Sequence, residues 1–136
     1  MQYQLLKLGI DSARLTTDAG IDLVVYAHGN QTAHTVQVKA NMSPKPAGGH
    51  GPLSRNWYFP HKCPAQVLAL VALDTDAVWL LTLEQAHELA QQHSAQGMRQ
   101  LYWRLDPDAT AAKAVRHEGE MTGYLLPNRA PELFPN

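Results

Sequence analysis

The chain has 136 residues, 45% of them hydrophobic and 17% charged, with a formal net charge of -1. That length suits one domain around one core, and the composition excludes a disordered chain and a polycation, so affinity for nucleic acid would have to come from local clusters of charge. The single cysteine, Cys63, excludes an internal disulfide and fits a reducing cytoplasm. No apolar run is long enough to read as a membrane span, and the start Met1-Gln2-Tyr3-Gln4 does not read as a secretory leader.

In chain order, Met1 to Leu8 reads as the end of an amphipathic helix, with Gly9 as its stop. Ala13 to Thr17 reads as a short strand, and Asp18-Ala19-Gly20 as a turn. Ile21 to Ala27 and Thr32 to Ala40 are rich in Val, Leu, Tyr and Thr and predict two strands, joined as a hairpin through Gly29-Asn30. Asn41 to Pro60 holds many prolines and glycines and reads as an irregular segment, with a short strand at Arg55 to Phe59 and a mobile glycine-rich stretch at Gly48-Gly49-His50-Gly51. Trp57 and Phe59 alternate toward a core, the other reading being that Trp57, Tyr58 and Phe59 beside Arg55 stack on bases. Gln66 to Leu73 and Ala77 to Leu81 predict a buried strand pair turning at Asp74-Thr75-Asp76. Thr82 and Gln85 have the spacing of a capping box, which starts a helix to about Ser94. Arg99 to Leu105 reads as a strand, Asp106 to about Glu118 as a last helix, and Pro127 to Asn136 as an irregular tail.

Two features of the hairpin need a chemical reason. Asp22 opens one strand, and Gln37-Val38-Lys39 places an amide and an ammonium in the other. Side chains alternate along a strand, so Gln37 and Lys39 share a face. If Gly29-Asn30 is a two-residue turn, His28 pairs with Gln31, and counting back puts Asp22 opposite Gln37, with Cβ atoms about 5 Å apart. Asp22, Gln37 and Lys39 would then meet at the open end of the hairpin. Such oxygen donors suit Mg²⁺ or Mn²⁺: the Asp22 carboxylate, the Gln37 amide oxygen and the Val38 carbonyl. Lys39 would stand ready for the water or for charge building on a phosphate. The alternative is an edge hairpin whose lysine merely guards against aggregation. Charge distribution favours the phosphate reading. Between Asp22 and Asp74 there is no acid, whereas Lys39, Lys45, Arg55 and Lys62 and several histidines fall there. Lys45, His50, Arg55 and Lys62 are the candidate nucleic-acid contacts. A zinc site from His50, His61 and Cys63 lacks the usual paired spacing.

In these residues the sequence resembles the PD-(D/E)XK nuclease superfamily. Leu8-Gly9-Ile10, Gly20-Ile21-Asp22-Leu23-Val24 and Val36-Gln37-Val38-Lys39 follow its helix, strand and hairpin pattern in order, with Gln-x-Lys in place of Glu-x-Lys. That variant is similar to the one in group I intron-associated endonucleases, and Holliday-junction resolvases share the layout with Glu. The resemblance spans residues 5 to 82. It implies an α/β, restriction-endonuclease-like fold, with a mixed central sheet of about five or six strands flanked by helices. It also implies Asp22 and Gln37 as metal ligands and Lys39 as the catalytic lysine of a DNA endonuclease. Many members carry an acid early in the first helix, and Met1 to Leu8 has none. The expectation is a single domain over residues 1–136, open to the reading that the start of its first helix is missing; Asp11 and Asp18 are the nearest substitutes. One site per chain calls for a homodimer to cut both strands. The other function to weigh is a degenerate nuclease-fold module that binds nucleic acid or a protein partner without cutting.

Overall fold

The computed structural model describes residues 1–17, 19–29, 32–109 and 116–135. Helix α1 (Gln2–Lys7) ends where Gly9 takes a positive φ of 72°, a conformation open to glycine at little cost. Strands β1 (Ile10–Arg14), β2 (Leu23–Ala27) and β3 (His34–Asn41) follow. The chain then crosses to a second sheet through β4 (Lys45–Pro46) and β5 (Leu53–Pro60) before returning as β6 (Val67–Ala72) and β7 (Ala77–Thr82). Helix α2 (Leu83–Leu89), β8 (Gln92–His93), β9 (Met98–Arg104), β10 (Arg116–His117) and helix α3 (Leu126–Leu133) complete the order.

The first sheet has five strands in the order β1-β2-β3-β6-β7. It is mixed: β3 and β6 run parallel and the other neighbours antiparallel. The predicted mixed α/β architecture is therefore found, with β6 lying between β3 and β7. Every residue of β6 is buried, which explains its unbroken apolar sequence. Val67, Ala69 and Val71 turn to one core with Leu5, Leu126, Ala130 and Phe134, so α1 and α3 cover that face. Leu68, Leu70 and Ala72 turn to the other core, against Trp57, Trp103 and the α2 residue Ala86.

The second sheet was not foreseen in the sequence. Its order is β10-β9-β5-β4, with β8 also pairing β9. Its inner face packs against the first sheet through three tryptophans, Trp57, Trp79 and Trp103, whose ring centroids lie 4.7 to 5.7 Å apart. Trp57 and Phe59 thus fill the core, as their alternation predicts.

Other expectations are corrected. The strand predicted over Arg55 to Phe59 extends over Leu53–Pro60. The glycine-rich stretch is not a free loop: the Ala47 amide donates to the Pro52 carbonyl at 3.0 Å and the Gly51 amide to the Ala47 carbonyl at 2.7 Å. Helix α2 stops at Leu89 rather than near Ser94. There the Gln91 side chain clamps the backbone of Tyr102, donating to its carbonyl and accepting from its amide, and the chain joins β9 as β8. Of the helix predicted from Asp106 to Glu118, residues 110–115 lie outside the described residues, and Arg116–His117 pairs with β9 instead. The tail read as irregular forms α3. Pro127 sits in its first turn, where no donor is needed, and Leu126, Ala130 and Phe134 recur every four residues on the buried face.

Candidate active site

The hairpin of β2 and β3 positions the predicted residues. Leu23 pairs with Val36 and Val25 with His34, the register that a two-residue turn would give, although Asn30 and Gln31 lie outside the described residues. Continued one step, this register sets Asp22 beside Gln37. The ladder does not run on regularly there. The Asp22 amide donates to the Val36 carbonyl at 2.9 Å, and its own carbonyl accepts from Leu15 at 2.9 Å. Its carboxylate oxygen Oδ2 accepts from the Val38 amide at 2.7 Å. An aspartate side chain thus takes the place of a ladder acceptor where β2 begins.

Alternation on β3 sorts the remaining groups. Thr35 and Asn41 turn their carbonyls toward β6, accepting from Gln66 and Leu73. Val36 and Val38 therefore turn their backbone groups toward β2. Because β2 starts at Leu23, the Val38 carbonyl faces past its end, beside the Asp22 carboxylate. Gln37 and Lys39 project from the face opposite to Val38, which packs against the helix-covered core. Lys39 is half-buried, and its ammonium has no hydrogen bond or ion pair among the described residues. Gln37 is only 6% exposed, and its Oε1 accepts from the Cys63 thiol at 3.0 Å. Gly20, with φ of 78°, closes this corner: a Cβ there would lie 2.9 Å from Pro64 Cδ.

These donors are all oxygens, which suits Mg²⁺ in kind. They carry one negative charge, and Gln37 shares its oxygen with a thiol. Among the described residues, no three His, Cys, Asp or Glu gather as a metal site. His50, His61 and Cys63 accordingly form no zinc cluster. Asp11 does not supply a further acid: it pairs with Tyr26 toward the turn end of the hairpin, with its carboxylate 3.8 Å from His28 Nε2. Asp18 lies outside the described residues.

The basic candidates separate. Lys45, His50 and Lys62 are exposed. Arg55 is not a surface cation: it is 2% exposed, with Nη1 2.7 Å from Asp74 and Nε 2.7 Å from Glu118. Its side chain projects to the inner face of β5 beside the tryptophans, so the cation is buried and two carboxylates compensate it. Burial alone would lower its pKa, but those two partners outweigh it and the net shift is upward. Arg55 therefore leaves the set of nucleic-acid contacts. Sequence reading also missed residues on the outer face of the second sheet. Asn41, two residues beyond Lys39 on the same face of β3, lines a polar cleft there with Asn56, Gln100 and Arg104. The signal was the period-two separation of Ser54, Asn56 and Tyr58 from Trp57 and Phe59 along one strand.

No family model and no curated protein matches the chain. Among solved structures, the bacterial homing endonuclease I-Ssp6803I is similar, with a TM-score of 0.57 at 12% sequence identity, over 96% of this chain and 85% of that one. At that identity the likeness concerns the fold: this chain shares that protein's mixed α/β architecture.

Proposed function

We propose that this chain is a Mg²⁺-dependent DNA endonuclease of the PD-(D/E)XK kind, with Gln37 in the position usually held by glutamate. The observation that carries the reading is the Asp22 carboxylate docked on the Val38 amide where β2 begins, one residue along β3 from Lys39. The homing-endonuclease-like fold and the Gln-x-Lys spacing support it. Asp22, the Gln37 amide oxygen and the Val38 carbonyl would hold the metal. Bound Mg²⁺ would supply Lewis-acid polarisation of a phosphate and a more acidic water. Lys39, without a partner among the described residues, would orient that water or offset charge on the phosphate oxygens. Lys45, His50 and Lys62 would face the DNA backbone. Two copies would cut both strands.

A plasmid-nicking assay with Mg²⁺ or Mn²⁺ tests this. Lys39→Ala should lower the cleavage rate by at least about a hundredfold while DNA binding persists. Equal cutting by both proteins would refute the assignment. One observation favours a second reading, a DNA-binding module that does not cut: Gln37 is buried against Cys63, leaving Asp22 as the carboxylate at the site among the described residues. Binding without cutting by the unsubstituted protein would select that reading.

A further inference from the structure

The cleft on the outer face of the second sheet has a volume of about 540 Å³ and no acidic residue in its lining. Strand register arranges its groups in rows. Lys45, Ser54 and Arg104 lie side by side across β4, β5 and β9. In the next rows Asn56 stands opposite Tyr102, and Tyr58 opposite Gln100. One end of the face thus carries two cations, and the middle carries amides and phenols. Their neighbours Trp57, Phe59, Leu101 and Trp103 point inward and are buried, so the sheet holds the outer row on a packed base.

The amides are already arranged. Gln100 Nε2 donates to Asn56 Oδ1 at 3.0 Å. This leaves the Gln100 oxygen as an acceptor and the Asn56 NH₂ as a donor, neither claimed by another described residue. Together they offer the donor and acceptor that complement N7 and N6 of adenine in the major groove. The backbone carbonyl of Asn56 is bonded by Asn41 Nδ2 at 3.0 Å, which ties the cleft to β3. The Asn41 Oδ1 and Arg104 Nε atoms are shielded from solvent and have no hydrogen-bond partner among the described residues. From Lys39 to Asn41 is roughly 7 Å along one face of the strand. That is about two base steps at 3.4 Å each.

Given a DNA-cleaving or DNA-binding chain as proposed above, we infer that this outer face is its sequence-reading surface. Asn56 and Gln100 recognise an adenine edge in duplex DNA, and Lys45 and Arg104 hold the adjoining phosphates. The cleft lies beside the Lys39 site, so the base read is a few steps from the phosphate cut.

The test selects bound duplexes from a pool with a randomised centre, using full-length Lys39→Ala protein so that bound DNA survives. The expected result is adenine enrichment at one position, relaxed about tenfold by Asn56→Ala and by Gln100→Ala. Lys45→Gln and Arg104→Gln should weaken all sequences alike, each lowering the slope of log affinity against log salt by about 1. Thermal unfolding identifies any variant that fails to fold, and the two pairs of variants report independently. If the Asn56 and Gln100 variants keep the parent's preference while unsubstituted protein cuts DNA, the reading surface is overturned and the nuclease stands. If preference is lost in those variants but no protein cuts, the surface stands and catalysis falls. If no duplex binds, both fall.

Discussion

At Gln37 a neutral amide stands where a second carboxylate would double the charge offered to a divalent cation. Gln37→Glu should therefore tighten Mg²⁺ binding, read by titration calorimetry on the protein without DNA. Affinity unchanged or weakened would show that the Gln37 position does not face the metal. The Cys63 thiol can donate to the new carboxylate as it does to the amide, so the corner need not rebuild. Arg55 makes a contrasting point. In the sequence it stands in an acid-free interval and looks like a phosphate contact. Its partners lie 19 and 63 residues away, at Asp74 and Glu118, and only the fold brings them together. A buried charge was legible as a charge but not as a buried one. Asp22, by contrast, was legible because its partner strand is local and an even loop fixes which residues meet.

Among the elements, α2 was legible at its start and not at its end. Thr82 Oγ1 accepts from the Gln85 amide at 3.1 Å, and the Gln85 side chain accepts from the Thr82 amide at 3.0 Å. These bonds follow from residue types three apart. Thr82→Ala should cost about 1 kcal/mol of stability, measured by urea unfolding. Its end is set by β9, through the Gln91 clamp on Tyr102, which no local pattern encodes. Helix α3 was hidden by Pro127 and Pro131, which read as breakers, although its buried residues recur at helical spacing. Phe134→Ala should destabilise the protein by about 3–5 kcal/mol, since Phe134 is 2% exposed and closes the core under β2 and β3. A loss below about 1 kcal/mol would mean that α3 does not hold that face.

For the whole molecule, two groups among the described residues have a shifted protonation on which acid acts. The Asp74 carboxyl is held below its ordinary value, first by its hydrogen bond to Arg55. Its contribution is present above the ordinary carboxylate range and is lost as pH falls through the folded value. His87 is also shifted downward, first by burial and then by the charges of Arg99 and His61. Here the unfolded chain takes the proton more readily, so stability declines as pH drops below the usual imidazole value of about 6.5. The melting temperature should therefore fall in two stages, the first below the usual imidazole value for His87 and the second in stronger acid, as pH drops through the lowered Asp74 value. His87→Phe, which keeps a ring against Phe59 and His61, should flatten the upper stage and spare the lower. Retention of the upper stage would assign it to another histidine. Both groups lie at the seam between the two sheets, the level of organisation least visible in the sequence. Two-residue strands such as β4 and β8 carry too few side chains to show a period, so the second sheet emerges only once β5 and β9 are paired.

The bond from the Val38 amide to the Asp22 carboxylate also makes that one proton a reporter. A backbone amide held by another backbone group senses only the opening of the sheet. This one senses a side chain that a cation would pull upon. Its chemical shift and exchange rate in a nuclear magnetic resonance titration would follow the arrival of Mg²⁺ without any substrate present. Asp22→Asn would keep an acceptor for this amide but lose the charge that draws the cation, whereas Lys39→Ala would leave both in place. Lys39→Ala is therefore the better-chosen variant for watching a cation bind.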